Sequence, residues 1–205
     1  MDESTLRFAL AAAGRRLGAR GLISAGEGNL SVRLGEDSLL MTPSGARKDE
    51  LSIDDLLVVP LVSPTSEAFP PGKPRPSSDI AIHRAAYAAR ADVQAVVHAH
   101  LPASMALTLA GEVPDPQALP ETAHFIPRLP YLPFRTMGST QLAADVAAAL
   151  SNGEEPLPGA VLLERHGAVA VGWTLDQAVN RLELVEVLCR TWRDAMLIRA
   201  ARRTD

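Results

Sequence analysis

Hydrophobic and polar positions alternate between two periods along this chain. Leu6, Leu10, Ala13 and Leu17 recur at helical spacing, and Gly21 follows as a stop, so the pattern predicts an amphipathic helix over 4–20. The period then falls to two. Asn29 to Leu34 and Ser38 to Thr42 read as strands, and Gly35-Glu36-Asp37 reads as the hairpin turn between them. Ser52-Ile53-Asp54-Asp55 predicts a short capped turn before a strand at Leu57 to Val62. Residues 63–76, rich in Pro, Ser and Gly, read as a surface loop. Ser77-Ser78-Asp79 is expected to cap a helix reaching about Ala89, with Ile82, Ala85 and Ala86 on its inner face. A β-branched run ends at His98-Ala99-His100, and a helix is expected from about Pro102 to Ala110.

Residues 111–134 hold six prolines and little periodicity, with a short strand expected near Pro130 to Phe134. Thr140 to Leu150 reads as a helix. Val161 to Leu163 and Ala168 to Val171 read as strands flanking the Arg165-His166-Gly167 corner. Thr174-Leu175-Asp176-Gln177 reads as a capping box that opens a long helix to about Ala200. Strands and helices are mixed, and several strands follow one another directly. That order predicts an α/β layered fold with a largely antiparallel sheet rather than a doubly wound parallel one.

Composition narrows the class. The chain has 205 residues, 47% of them hydrophobic, which fits one globular domain over 1–205 with a substantial core. Its formal net charge of −4 gives no global positive field for nucleic acid or an anionic membrane. No apolar run approaches the ~20 residues of a membrane span, and the Met1-Asp2-Glu3-Ser4 start does not resemble a signal peptide. One cysteine, Cys189, excludes an intrachain disulfide and fits a reducing, cytoplasmic setting. No G-x-G-x-x-G or P-loop pattern supports nucleotide binding.

Candidate chemistry centres on histidine. On a strand, residues i and i+2 share a face, so His98 and His100 point the same way. His166 follows the apolar run Val161-Leu162-Leu163. Three neutral imidazoles and an open position describe a catalytic Zn2+ site, although other divalent ions suit such a shell. Three small polar segments contain Gly28-Asn29, Ser44-Gly45 and Ser77-Ser78. Singly each reads as a turn or cap; beside a metal they form a candidate phosphate cradle. Asp79 follows the serine pair as a metal ligand or proton carrier. His83, one helical turn on and near Tyr87, reads as structural, and His124 stands isolated. Glu164 is a candidate partner for an imidazole.

Six blocks together resemble the class II aldolase/adducin family over about residues 5–198. They are Gly28-Asn29-Leu30-Ser31-Val32-Arg33, Met41-Thr42-Pro43-Ser44-Gly45, Pro76-Ser77-Ser78-Asp79, His83-Arg84-Ala85-Ala86-Tyr87, Val96-Val97-His98-Ala99-His100 and Leu163-Glu164-Arg165-His166-Gly167. The resemblance implies a three-layer α/β/α domain, usually a cyclic homotetramer with active sites at subunit interfaces. It implies zinc on His98, His100 and His166, and substrate phosphate on Gly28, Asn29, Ser44, Gly45, Ser77 and Ser78. The implied activity is retro-aldol cleavage of a small phosphorylated ketose. The alternatives are a sugar-phosphate 4-epimerase, a dehydratase or decarboxylase of the same family acting on a related substrate, and a non-catalytic adducin-like domain.

Departures from the family pattern concern protons. Asp79 stands where the aldolase branch has Glu and the epimerase branch has Asp. Phe125 replaces a catalytic tyrosine, Ile126 falls near the epimerase's extra aspartate, and the C-terminal tyrosine segment has no counterpart. Glu27 stands beside the expected phosphate pocket, where a carboxylate pointing inward would repel the substrate.

Overall fold

The computed structural model describes residues 2–62, 72–153 and 155–202, so most of the loop expected over 63–76 lies outside the described residues. Helix α1 (Glu3–Ala19) starts at Asp2, whose carboxylate accepts from the Thr5 amide at 2.9 Å. It buries Leu10, Ala13 and Leu17 as their spacing requires. Strands β1 (Asn29–Leu34) and β2 (Ser38–Met41) form the expected hairpin, and Ser52 and Asp55 cap a 3-10 turn at Ile53–Asp55. Strand β3 (Leu57–Pro60) stops short of Val62 because β2 runs out: Pro60 pairs with Ser38, the first residue of β2.

The chain continues through α2 (Ile80–Ala89), β4 (Ala95–Ala99), α3 (Pro102–Leu109), α4 (Pro120–Phe125), β5 (Tyr131–Leu132), α5 (Thr140–Ser151), β6 (Ala160–Leu163), β7 (Gly167–Gly172) and α6 (Leu175–Ala201). Two elements in the proline-rich region were not expected, a 3-10 turn at Pro116–Ala118 and α4. Both begin on a proline at the first helical position, and both are too short for a helical period to register. Thr174 caps α6 by accepting from the Gln177 amide, but the Gln177 side chain reaches back to the Trp173 amide instead of closing the box on Thr174.

Among the described residues, seven strands form one sheet in the order β3-β2-β1-β4-β7-β6-β5. Every neighbouring pair is antiparallel except β5 with β6. Period-two alternation sorts side chains to two cores. Leu30, Val32, Val97, Leu162 and Ala170 pack under the α1/α3/α6 layer. Leu39, Met41, Val96, Val161 and Val169 pack under α2 and α5. The result is the three-layer α/β/α architecture with a largely antiparallel sheet that the sequence pattern and the resemblance imply.

Two local findings bear on the site. The Ala103 and Ser104 amides at the start of α3 donate to the buried Glu186 carboxylate from α6, which also receives Arg190 Nε at 2.8 Å. Leu101, at the cap position, has no side-chain acceptor of its own, so a distant carboxylate anchors the segment that follows His100. The second finding corrects an expectation. Asp79 occupies the cap position of α2, but its side chain makes no capping bond, and the inner face is Ile82, His83, Ala86 and Tyr87, with Ala85 only half-buried. The Asp79 carboxylate is engaged elsewhere.

Candidate metal centre

β4 and the β6–β7 corner lie side by side in the sheet. His98 pairs with Val169 on β7 and with Asn29 on β1. His100 follows one residue beyond the end of β4, and His166 sits in the corner between β6 and β7. The rings meet edge to face, with centroids 4.7, 4.9 and 5.1 Å apart. One nitrogen from each lies within 4.8 Å of the others. The corner itself demands special backbone: Arg165 has φ +56° and Gly167 has φ +99°. A Cβ on Gly167 would collide with the Ala99 carbonyl oxygen, so only glycine lets the two strands close.

Protonation states follow from surroundings. His98 Nδ1 lies 3.0 Å from the Ala168 carbonyl oxygen. A carbonyl only accepts, so Nδ1 carries the proton and Nε2 presents a lone pair. Burial, reinforced by His166 and His100, holds His98 well below the usual imidazole range, and burial followed by His100 lowers His166. The Nε2 atoms of His98 and His166 are buried and have no hydrogen-bond partner among the described residues. An unpaired buried acceptor costs about 1–3 kcal/mol. Two such atoms converging with a third imidazole fit the donor set of a divalent ion.

Asp79 stands beside this cluster rather than within it, with Oδ2 3.9 Å from His98 Nε2. The backbone amide of Gly138, from the loop before α5, donates to Oδ1 at 3.1 Å. Asn29 Nδ2 donates to Oδ2 at 3.3 Å and to Ser77 Oγ at 2.8 Å. Because the Asn29 amide nitrogen faces these acceptors, its oxygen faces His83 Nε2 at 2.5 Å, and that nitrogen must donate. His83 Nδ1 then accepts from Ser31 Oγ at 2.6 Å, and Ser31 accepts from the Tyr87 hydroxyl at 2.9 Å. Burial first, then the neighbouring His98, pushes His83 down to about 3, so the ring stays neutral in this network. His83 is thus structural, as its position beside Tyr87 suggested, and the network sets which way Asn29 points.

A cavity of about 320 Å3 opens beside His100 and Asp79. Gly28, Asn29, Ser44, Gly45, Ser77 and Ser78 all line it, so the three separate polar segments come together. Lys48 lines it too, 1% exposed, with Nζ donating to the Gly26 carbonyl oxygen at 2.6 Å. Burial pulls the Lys48 ammonium down to about 8, against the opposing attraction of Glu27. Sequence reasoning missed Lys48; its rarity as one of two lysines was the available signal. Glu27 also lines this cavity, and both of its carboxylate oxygens have neighbours. Oε1 accepts from the Ser24 amide at 2.8 Å, and Oε2 lies 3.2 Å from His100 Nδ1.

The other residues singled out in the sequence take different places. Glu164 does not orient an imidazole; it accepts from the Phe134 amide at 2.8 Å and pairs with Arg165 at 3.3 Å. His124 is exposed and packs edge-on against Phe125, with centroids 4.6 Å apart, outside the histidine cluster. Phe125 lines a larger cleft of about 530 Å3 with Glu183, Leu184 and Val187 of α6, which contains none of the clustered histidines. Cys189 is fully buried, and burial pushes its thiol up to about 12.

Fold and site together define a layered α/β domain with a three-histidine cluster beside a polar cavity. The family model described as Class II Aldolase and Adducin N-terminal domain matches residues 8–193, and the chain belongs to that family. The 5-methylthioribulose-1-phosphate/5-deoxyribulose-1-phosphate aldolase of Rhodospirillum rubrum is 32% identical over 201 residues, covering 92% of this chain and 80% of that protein. The 3-oxo-tetronate 4-phosphate decarboxylase of Cupriavidus necator is 34% identical over 196 residues, covering 93% of this chain and 84% of that protein. The crystal structure of L-fuculose-1-phosphate aldolase from Thermus thermophilus superposes with a TM-score of 0.82 at 32% identity, covering 97% of both chains. No helix among the described residues is long and apolar enough to cross a membrane.

Proposed function

We propose that this chain is a single-domain, metal-dependent lyase that cleaves a carbon–carbon bond in a small phosphorylated ketose by retro-aldol chemistry. The observation that carries this reading is the convergence of His98, His100 and His166 with two buried Nε2 atoms left unpaired. Relatives that act on sugar phosphates supply the substrate class. His98, His100 and His166 would hold a divalent ion, Zn2+ by preference, and the ion would supply Lewis acidity worth several kcal/mol.

The remaining work belongs to the protein's own groups. Gly28, Asn29, Ser44, Gly45, Ser77 and Ser78 bind the phosphate, and Lys48 is the cation lining the same cavity. That binding orients a substrate whose reacting bond lies toward Asp79 and His100. Asp79 moves the proton at the reacting carbon; Asn29 and Gly138 hold its carboxylate and leave it beside the cluster. Phe125 has no proton to give, and Ile126 is fully buried, so neither supplies the missing acid of the aldolase or epimerase branch. The three intact histidines weigh against a non-catalytic adducin-like role.

The decisive experiment combines metal analysis with product analysis. Purified protein loaded with Zn2+ is incubated with a panel of ketose 1-phosphates. Release of dihydroxyacetone phosphate and an aldehyde is the expected result. Recovery of an epimeric ketose phosphate would convert the reading to epimerase, and full activity without metal would end it. Exposed Val187, Leu197 and Ile198 on α6 support the further proposal, implied by the family resemblance, that copies assemble as a homotetramer.

A further inference from the structure

Each clustered imidazole must present one nitrogen to the ion and find a partner for the other. His98 uses the Ala168 carbonyl. His100 is the least buried of the three and lies beyond its strand, so strand pairing does not hold it. Its Nδ1 lies 3.2 Å from Glu27 Oε2. The Glu27 side chain is itself restrained at both ends. Its other oxygen accepts from the Ser24 amide at 2.8 Å, and the Glu27 amide donates to the Ser24 carbonyl at 3.2 Å. The flanking glycines are locked by close approach: a Cβ on Gly26 would stand 2.7 Å from the Gly45 carbonyl oxygen, and one on Gly28 would stand 2.9 Å from the His98 carbonyl oxygen.

We propose that Glu27 is a positioning residue for the metal centre: its carboxylate accepts a hydrogen bond from His100 Nδ1–H, which keeps the proton there and leaves Nε2 for the ion. This rests on the metal reading given above. A carboxylate behind a ligating imidazole fixes its tautomer and ring orientation and makes it a better donor to the metal. The same residue stands between Gly26 and Gly28, whose loop lines the polar cavity, so the cradle and the metal cluster share one side chain. In this role Glu27 acts on the ion through His100.

The test compares Zn2+ affinity of the full chain, measured by competition with a chromophoric chelator, for the wild type, Glu27→Gln and Glu27→Ala. Loss of such a partner typically weakens metal binding about 10–100-fold. Glu27→Ala is expected in that range. Glu27→Gln keeps an acceptor oxygen at the same reach and is expected to recover part of the loss. Imidazole proton–nitrogen spectra of the metal-free protein supply a readout that a merely structural role would not move. The wild type should show His100 with its proton on Nδ1, and Glu27→Ala a mixture of tautomers. Equal Zn2+ affinity in all three proteins, or an unchanged His100 tautomer in both variants, overturns the proposal. Absence of Zn2+ binding by the wild type would remove the metal reading, and the tautomer spectra would still decide whether Glu27 orients His100.

Discussion

The Asp79 carboxylate reaches within 3.9 Å of His98 Nε2 while accepting hydrogen bonds from Asn29 and Gly138. A carboxylate held this way beside a cluster of imidazoles can exchange a proton with a bound substrate without swinging away. Asp79→Asn keeps the shape and removes the base. Its kcat for ketose-phosphate cleavage should fall by about 10²–10⁴, the usual worth of general acid–base help, with Zn2+ content unchanged. A variant that loses metal along with rate would show instead that Asp79 ligates the ion.

Metal binding should report on stability as well as rate. The buried Nε2 atoms of His98 and His166 have no hydrogen-bond partner among the described residues. A ligand that binds only the folded state adds about 2.7 kcal/mol at a concentration of 100 Kd. Thermal denaturation of wild type should shift upward by the corresponding amount on adding Zn2+. His98→Ala and His166→Ala should show little or no shift.

Glycine substitutions separate backbone strain from strand closure. Gly21 and Gly167 both have positive φ, but a Cβ on Gly21 meets nothing within 4 Å, whereas one on Gly167 collides with Ala99. Gly21→Ala should cost about 1–2 kcal/mol, the left-handed penalty alone. Gly167→Ala should cost clearly more in urea denaturation and should also weaken Zn2+ binding, because β7 must move away from β4 at His166.

Lys48 gives a pH signature of defined sign. Burial lowers its ammonium from 10.5 in the unfolded chain to about 8 in the folded one. The folded state therefore favours the neutral amine, and that contribution is present in full above 10.5 and lost as pH falls through 8. Wild type should gain stability relative to Lys48→Met between these two values, by urea midpoints below pH 8 and near 10.5. Inorganic phosphate at neutral pH should stabilise the wild type more than the variant.

Much of this was legible along the chain. Alternation at 29–34 and 38–42 marked the first hairpin, and the apolar β-branched run ending at His98 and the run from Ala168 to Val171 read as further strands; all of them lie in the sheet. The histidine trio stood out because His98 and His100 share a strand face and His166 follows a second buried run. What stayed hidden was short or non-local. The Pro116–Ala118 turn and α4 span less than two helical turns and carry no measurable period. Glu164 stood next to His166 in sequence, yet its carboxylate turns to the Phe134 amide at the parallel β5 edge.

Sequence alone determined the layered α/β class, the three imidazoles and the small polar segments, because these depend on local periodicity and residue type. Tertiary structure alone decided who faces whom. It set the Glu27 carboxylate beside His100 at the rim of the polar cavity, brought Lys48 to the cavity wall, and engaged Asp79 with Asn29 and Gly138 instead of the α2 amides. Such partnerships join residues tens of positions apart, and their direction is set by sheet register and loop closure, which no window of local sequence contains.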